Sequence, residues 1–304
     1  MSPQRRNPGK RPERYGIAEW YGRVFTALSA AERQDFAATP EKGNRPPCPF
    51  QAGKPPCTKA GGVCSIQRYR KTGHDRIGEA VGEPVITCPK RFDEESLLVR
   101  WLAKIAQLAP RTIKVAREVS FMHGTSTDKP AGKIDLVVAG NSDNQFKWYA
   151  LEIQAVYVSG KAMGTYFQSL LNDDFAAPPF PDAIRRPDWR SSSAKRLMPQ
   201  LQIKVPTIRR WGSKIAVTVD RPFFKAIGGP SDEPKQDLGD GDIIWLVPKL
   251  HRIGNRFKLL RDHWEILTLE DSSDKLLASE TISQQQFVKV LRSKLEPLAP
   301  RSAT

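Results

Sequence analysis

Two acids set in apolar runs are the residues of this chain best placed to do chemistry: Asp135 in KIDLVVA (133–139) and Glu152 in KWYALEIQAV (147–156). Both runs have strand composition, and the polar stretch from Asn141 to Gln145 reads as the turn that joins them. With that turn centred between Asp143 and Asn144, Asp135 falls directly across from Glu152. Directly opposed residues have Cβ atoms ~5 Å apart, so the two carboxylates can share one divalent ion. Gln154 lies two residues beyond Glu152 and points to the same face. Leu136, Val138, Leu151 and Ile153 around them are apolar, and acids in such a stretch are costly unless a cation or donor compensates them. Phosphodiester hydrolysis asks for this arrangement. Mg²⁺ held by carboxylates neutralises the charge that builds on the phosphoryl oxygens and lowers the pKa of a bound water. The competing reading is a surface hairpin whose acids face water.

The same register sets Lys133 opposite Gln154, where it would bring a cation to the phosphate; a one-residue slip turns it to the other face. Glu94 or Glu95, at the start of the preceding helix, is a further candidate to reach the metal, unless it only complements the helix dipole.

A second constellation is Cys48-x8-Cys57-x6-Cys64-x23-Cys88, with no cysteine after it. The spacing is not that of paired CxxC loops. Four thiolates in a Pro/Gly-rich loop still offer tetrahedral all-sulfur coordination for Zn²⁺ or iron. A structural role is expected, closing a loop that has little apolar matter of its own. Unconnected thiols are the alternative.

A third feature is basic. Residues 185–210 hold Arg185, Arg186, Arg190, Lys195, Arg196, Lys204, Arg209 and Arg210 against one acid, Asp188. That density fits contact with DNA phosphates. Arg185, Arg186, Arg190, Lys195 and Arg196 are the candidate DNA contacts, with Ser191 to Ser193 as further donors or helix caps. The arm 1–14 and the stretch Lys249 to Arg261 would wrap the duplex.

The elements that must position these residues follow from periodicity. Ile17, Trp20, Tyr21, Val24, Phe25 and Leu28 predict a helix over 17–37, and the Pro-rich stretch 38–70 a loop. Asp93, Glu94 and Glu95 ahead of an apolar stripe predict a helix from Phe92 to Leu108. Strands follow at 113–122, 133–139 and 147–156, then a helix at 160–172, a Pro-rich insertion at 177–190, and a basic helix at 191–204 ended by Pro206. A strand runs from Lys214 to Val219. Two β-like stretches (243–247, 257–269) and a last helix (283–294) complete the chain. The order around the acids is helix, three strands, helix, strand.

The 304 residues carry a formal net charge of +15, which draws polyanions, nucleic acid first. No apolar run is long enough to span a bilayer. The basic first twenty residues lack the apolar centre of a secretory signal, so the cytoplasm is the expected location, a prokaryotic one by the family resemblance given below, and no membrane partner is expected.

The residues resemble the PD-(D/E)XK nuclease superfamily through G-K-I-D at Gly132 to Asp135 and L-E-I-Q at Leu151 to Gln154. More closely, the chain resembles the NotI-type family of type II restriction endonucleases. CPF at Cys48, GGVCS at Gly61, ITCPKRF at Ile86, GKIDLVV, LEIQAVY, SSSAKRLMPQLQIK and WGSKIAVTVD carry this likeness in order, over residues 45 to 220. The resemblance implies an α/β fold with an αβββαβ nuclease core and a four-cysteine metal insertion, iron favoured. It implies a homodimer that cleaves double-stranded DNA at a palindrome with Mg²⁺, in a restriction system with a cognate DNA methyltransferase. The family's active-site acids fall on Asp135 and Glu152, and its glutamine, where the superfamily has lysine, on Gln154. The organisation expected is an arm and helix (1–43), the four-cysteine region (44–91), the nuclease core (92–228) and a β/α extension packed on it (229–304). The alternatives are a repair or mobile-element nuclease on the same core, a non-catalytic zinc-stabilised DNA-binding protein, and a rubredoxin-like electron carrier. The last leaves the basic remainder unexplained.

Overall fold

The computed structural model describes residues 12–42, 44–124, 129–277 and 283–295; most of the expected basic arm lies outside them. The chain builds two main sheets. Strands β1 (Glu13–Trp20), β2 (Arg23–Val24), β3 (Val63–Lys71) and β4 (Ile77–Ile86) form an antiparallel sheet in the order β2-β1-β3-β4, with α1 (Ala30–Lys42) between β2 and β3. The helix expected over 17–37 is thus strand and turn over 17–24 and α-helix only from Ala30. Ile17, Ala18, Glu19 and Trp20 are all buried, and a strand covered on both faces leaves no alternation to read. Tyr21 and Gly22, both at positive φ, then turn the chain sharply, and the helix begins only at Ala30. The expected loop over 38–70 is also shorter, because its start belongs to α1 and its last quarter to β3.

The second sheet holds the acids. Helix α2 (Leu97–Ile105) is followed by β5 (Lys114–His123), β6 (Pro130–Ser142) and β7 (Gln145–Ile153). The chain then crosses through β8 (Tyr157–Gly160), α3 (Gly164–Leu171), β9 (Arg185–Asp188), α4 (Trp189–Ser192) and α5 (Met198–Arg210) before β10 (Lys214–Thr218). After α6 (Arg221–Ala226), β11 (Ile243–Ile253) and β12 (Arg256–Leu267) extend the sheet, and α7 (Leu269–Leu277) and α8 (Gln284–Arg292) follow. The order is β12-β11-β10-β7-β6-β5, with β10 parallel to both neighbours. Residues 243–267 therefore continue the central sheet.

Three further expectations shift. Asp93, Glu94 and Glu95 precede α2 instead of filling its first turn, since Glu95 and Ser96 take positive φ. Pro206 does not end the basic helix: α5 runs through it to Arg210, and the carbonyl the proline leaves free belongs to Gln202, on the exposed side. Ahead of α5, a π-helical turn spans Ser193–Leu197.

Leu197, Leu201, Val205 and Ile208 on the α5 side join Ala150, Ile215, Val217 and the N-terminal sheet's Ile17 and Ile66 in one core. Leu98, Trp101 and Leu102 of α2 join Leu136, Leu151, Ala216 and Ile244 on the opposite face. Burying both faces explains why the central strands read as nearly continuous apolar runs.

Candidate active site

The β6–β7 hairpin has the expected register. Ser142 pairs with Gln145 and Leu136 with Leu151, around a two-residue turn whose Asp143 and Asn144 have φ of 51° and 60°. Primed two-residue turns of this kind match the twist of the strands. Asp135 and Glu152 therefore follow on one face, next after the last ladder pair. There the ladder gives way to a side chain: Ile153 N–H donates to Asp135 Oδ2 (2.9 Å). Beyond it, Gln154 N–H donates to Thr218 O of β10 (2.9 Å), which fixes the backbone where Gln154 leaves the sheet.

The two acids differ sharply in surroundings. Asp135 is exposed, whereas Glu152 is only 2% exposed. Burial, and after it the negative charge of Asp135, pushes the Glu152 carboxyl up to about 7, against the opposing pull of Lys204. Lys204 comes from α5 and is itself 7% exposed; its Nζ lies 2.6 Å from Glu152 Oε1. Oε1 has no other partner. Lys204 is the residue that sequence reasoning placed only in a basic run. The signal was present: Leu197, Leu201, Val205 and Ile208 mark the apolar stripe of α5, and a lysine at 204 sits inside that stripe.

Beside the acids opens a cavity of about 750 Å³ lined by Asp135, Gln154, Tyr157, Lys161, Phe167 and Gln200, among others. Lys133 does not face it; its Nζ pairs with Glu118 (3.0 Å), both exposed. Glu94 is held by Arg91 (2.8 Å) and by Leu259 N–H (2.5 Å), and Glu95 lies 3.7 Å from Lys258. Neither glutamate is drawn toward Glu152.

The basic residues divide by exposure. Arg186, Arg190, Lys195 and Arg196 are exposed. The Arg196 guanidinium lies 3.7 Å over the Tyr157 ring and donates to its hydroxyl (2.9 Å), at the cavity rim. Arg185, at 2% exposed, is bonded internally to Lys161 O, Ala162 O and Asp182 Oδ1, and it belongs to the lining of the same cavity. Ser192 and Ser193 are buried, and the Ser192 hydroxyl accepts from Tyr157 N–H and donates to Asp188 O. The stretch Lys249 to Arg261 lies on the β11–β12 hairpin, whose tip is exposed.

The cysteines come from three segments. Cys48 N–H donates to Pro55 O and Cys57 N–H to Pro46 O, folding 46–57 into a small hairpin. Cys64 lies in β3, and Cys88 follows β4 with its N–H donating to Cys64 O (3.2 Å). All four thiols are buried and free of disulfides. Each is in electrostatic reach of the next, Cys48 of Cys57, Cys57 of Cys88 and Cys88 of Cys64. Burial raises Cys57 and Cys88 and puts Cys64 well above the usual thiol range. Among the described residues, no three His, Cys, Asp or Glu side chains are gathered as a set that could hold a metal ion. The donor chemistry of both constellations nevertheless suits one: an orphaned buried carboxylate oxygen beside a second acid, and four buried sulfurs without disulfides.

No helix among the described residues is long and apolar enough to cross a membrane. A search of curated proteins finds no match. The family model of restriction endonuclease NotI matches residues 33–259, from α1 into β12, about three quarters of the 304 residues. It takes in the cysteine region, the β6–β7 hairpin with its acids, and α5 with Lys204. The chain belongs to the NotI restriction endonuclease family, a family of DNA-cleaving hydrolases.

Proposed function

We propose that this protein is a type II restriction endonuclease that hydrolyses phosphodiester bonds of double-stranded DNA at one palindromic site, with Mg²⁺. The observation that supports the reading most is the placing of Asp135 and Glu152 on one face at the end of the β6–β7 ladder, beside an open cavity, in a chain of this family. We assign the β5–β6–β7, α5 and β10 unit to the PD-(D/E)XK superfamily on the order of its elements.

Asp135 and Glu152 would hold the ion. When bound, Mg²⁺ supplies charge neutralisation at the phosphoryl oxygens and acidifies a water. The chain's own groups do the rest. Ile153 N–H fixes one oxygen of Asp135 and so orients its carboxyl group. Burial of Glu152 in a water-poor site strengthens every charge interaction it makes. The Gln154 carboxamide has no charge to give and serves to orient water. Arg186, Arg190, Lys195 and Arg196 track the phosphate backbone. Cys48, Cys57, Cys64 and Cys88 are assigned to one structural iron or zinc that ties the 46–57 hairpin to the β3–β4 end. A palindrome calls for a two-fold homodimer, and a cell that owns such an enzyme needs a cognate methyltransferase to protect its own DNA.

Digestion of a long, sequence-diverse DNA with Mg²⁺, followed by sequencing of the ends, tests this reading. Discrete fragments sharing one terminus are expected. Asp135→Ala and Glu152→Ala should each slow cleavage by ~10³-fold or more, the equivalent of ~4 kcal/mol of transition-state stabilisation, while DNA binding in Ca²⁺ persists. Absence of cleavage on any DNA would overturn the assignment.

A further inference from the structure

Lys204 stands where a cation is needed twice. Two carboxylates face each other at Asp135 and Glu152, and Glu152 is almost wholly buried. A buried acid requires a partner in the metal-free protein, and the only ammonium within salt-bridge distance of Glu152 among the described residues is that of Lys204. At 2.6 Å it is in full contact with Oε1, an oxygen that takes no hydrogen bond from any other group. Glu152 is also one of the two carboxylates that would hold a divalent ion.

The element that delivers Lys204 is firmly seated. Leu197, Leu201, Val205 and Ile208 pack α5 against the sheet, so the Lys204 Cα stays in place when its partner changes. The side chain above it has four rotatable methylenes, and the ammonium is a compact charge on a flexible stem. One turn earlier, Gln200 already lines the cavity shared by Asp135 and Gln154. Lys204 thus lies one helical turn from a residue of the cavity wall.

We propose that the Lys204 ammonium is a built-in stand-in for the divalent ion: it sits at Oε1 of Glu152 in the metal-free protein, is displaced when the ion binds, and then serves as the cation at the scissile phosphate that Gln154 is not. The proposal rests on the nuclease reading of this site. It explains why an uncharged Gln154 is tolerated two residues from Glu152: the charge arrives from α5. It also makes the ion and the ammonium competitors for one oxygen, a relation that an ordinary structural ion pair lacks.

The test is Mn²⁺ binding to the full-length protein, read by electron paramagnetic resonance at pH 9, beside single-turnover cleavage at saturating Mg²⁺. For Lys204→Gln the expected result has opposite signs: Mn²⁺ binds several-fold tighter, because no ammonium must be displaced, while cleavage slows by 10²-fold or more. Lys204→Arg keeps the charge and should recover most of the cleavage rate. Unchanged Mn²⁺ affinity overturns the proposal, as does Mn²⁺ affinity and cleavage falling together, the mark of a purely structural pair. Tighter Mn²⁺ with undiminished cleavage overturns it as well. A measurement on the unmodified protein covers the case in which Lys204→Gln does not fold. The ζ-¹⁵N resonance of Lys204, assigned by its loss in Lys204→Arg, must shift when Ca²⁺ is added; no shift overturns the displacement. Failure of the nuclease reading looks different: the Mn²⁺ and NMR results would hold while no DNA is cut.

Discussion

Single residues carry the sharpest contrasts. Arg185 and Arg196 belong to the same basic run, yet one is buried on two carbonyls and Asp182 while the other lies open on Tyr157. Arg196→Ala should weaken DNA binding on every sequence and lower the slope of log affinity against log salt by ~1, with folding intact. Arg185→Ala should do the reverse. It strands Asp182 and the Lys161 and Ala162 carbonyls at a cost of ~3 kcal/mol, seen as a lower melting temperature before any change in salt slope. Asp220 gives a pH signature. It is fully buried, accepts from Ile86 N–H and Phe223 N–H, and burial pushes it up to about 7 against an ordinary 3.8. The folded chain thus holds a proton that the unfolded chain releases near pH 4. This stabilising contribution is complete below that pH and is lost as pH rises through about 7. Asp220→Asn has no such proton to lose, so the stability gap between wild type and variant should move in the variant's favour from pH 5 to pH 8. A gap independent of pH would refute the assignment.

At the scale of elements, the β6–β7 turn decides whether the acids meet at all. A slip of one residue sends Asp135 to the other face. Asn144 holds φ of 60°, which a β-branched residue adopts only at a cost of ~1–2 kcal/mol. Asn144→Val should lower stability by that amount and reduce cleavage, whereas Asn144→Gly should keep both. This hairpin was fully legible in the sequence, because its turn residues and the apolar alternation beside them are local signals. The strands of the central sheet were legible for the same reason. Elements decided by distant packing were not. Ile17 to Leu28 fit a helical period, but Trp20 stacks on Phe167 and donates to Gly61 O, contacts that only a strand and turn at this place permit. The acids before α2 look like a helix start, yet Glu94 is claimed by Arg91 and by the backbone of β12. In the candidate site, Asp135, Glu152 and Gln154 were visible because they flank one turn. Lys204 was not assigned a role, because its partner lies on another element and a lysine in a basic run passes for a surface residue.

The whole molecule joins two sheets, and Arg91 is a buried polar joint between them. Arg91 reaches Glu19 of β1 on one side and the Phe257 carbonyl of β12 on the other, with Phe50 of the cysteine hairpin under its guanidinium. A metal at the four cysteines would act on this joint rather than on the chemistry. Cys64→Ser, or a chelator strong enough to strip the ion, should therefore lower the melting temperature and DNA affinity together. Metal analysis should fall from one iron or zinc per chain in step with them. Full stability in that variant would exclude a structural metal.

The two acids and their ammonium also join the fold at different times. Asp135 and Glu152 sit on a hairpin closed by two residues, of a kind that forms in ~1–10 μs. Lys204 reaches Glu152 only after the long crossing from Ile153 to β10 has closed, a parallel pairing that is slow because loop entropy is lost before contacts compensate it. A nascent or refolding chain thus exposes two unaccompanied carboxylates before their counter-charge arrives, and divalent ions in the medium have first access to them.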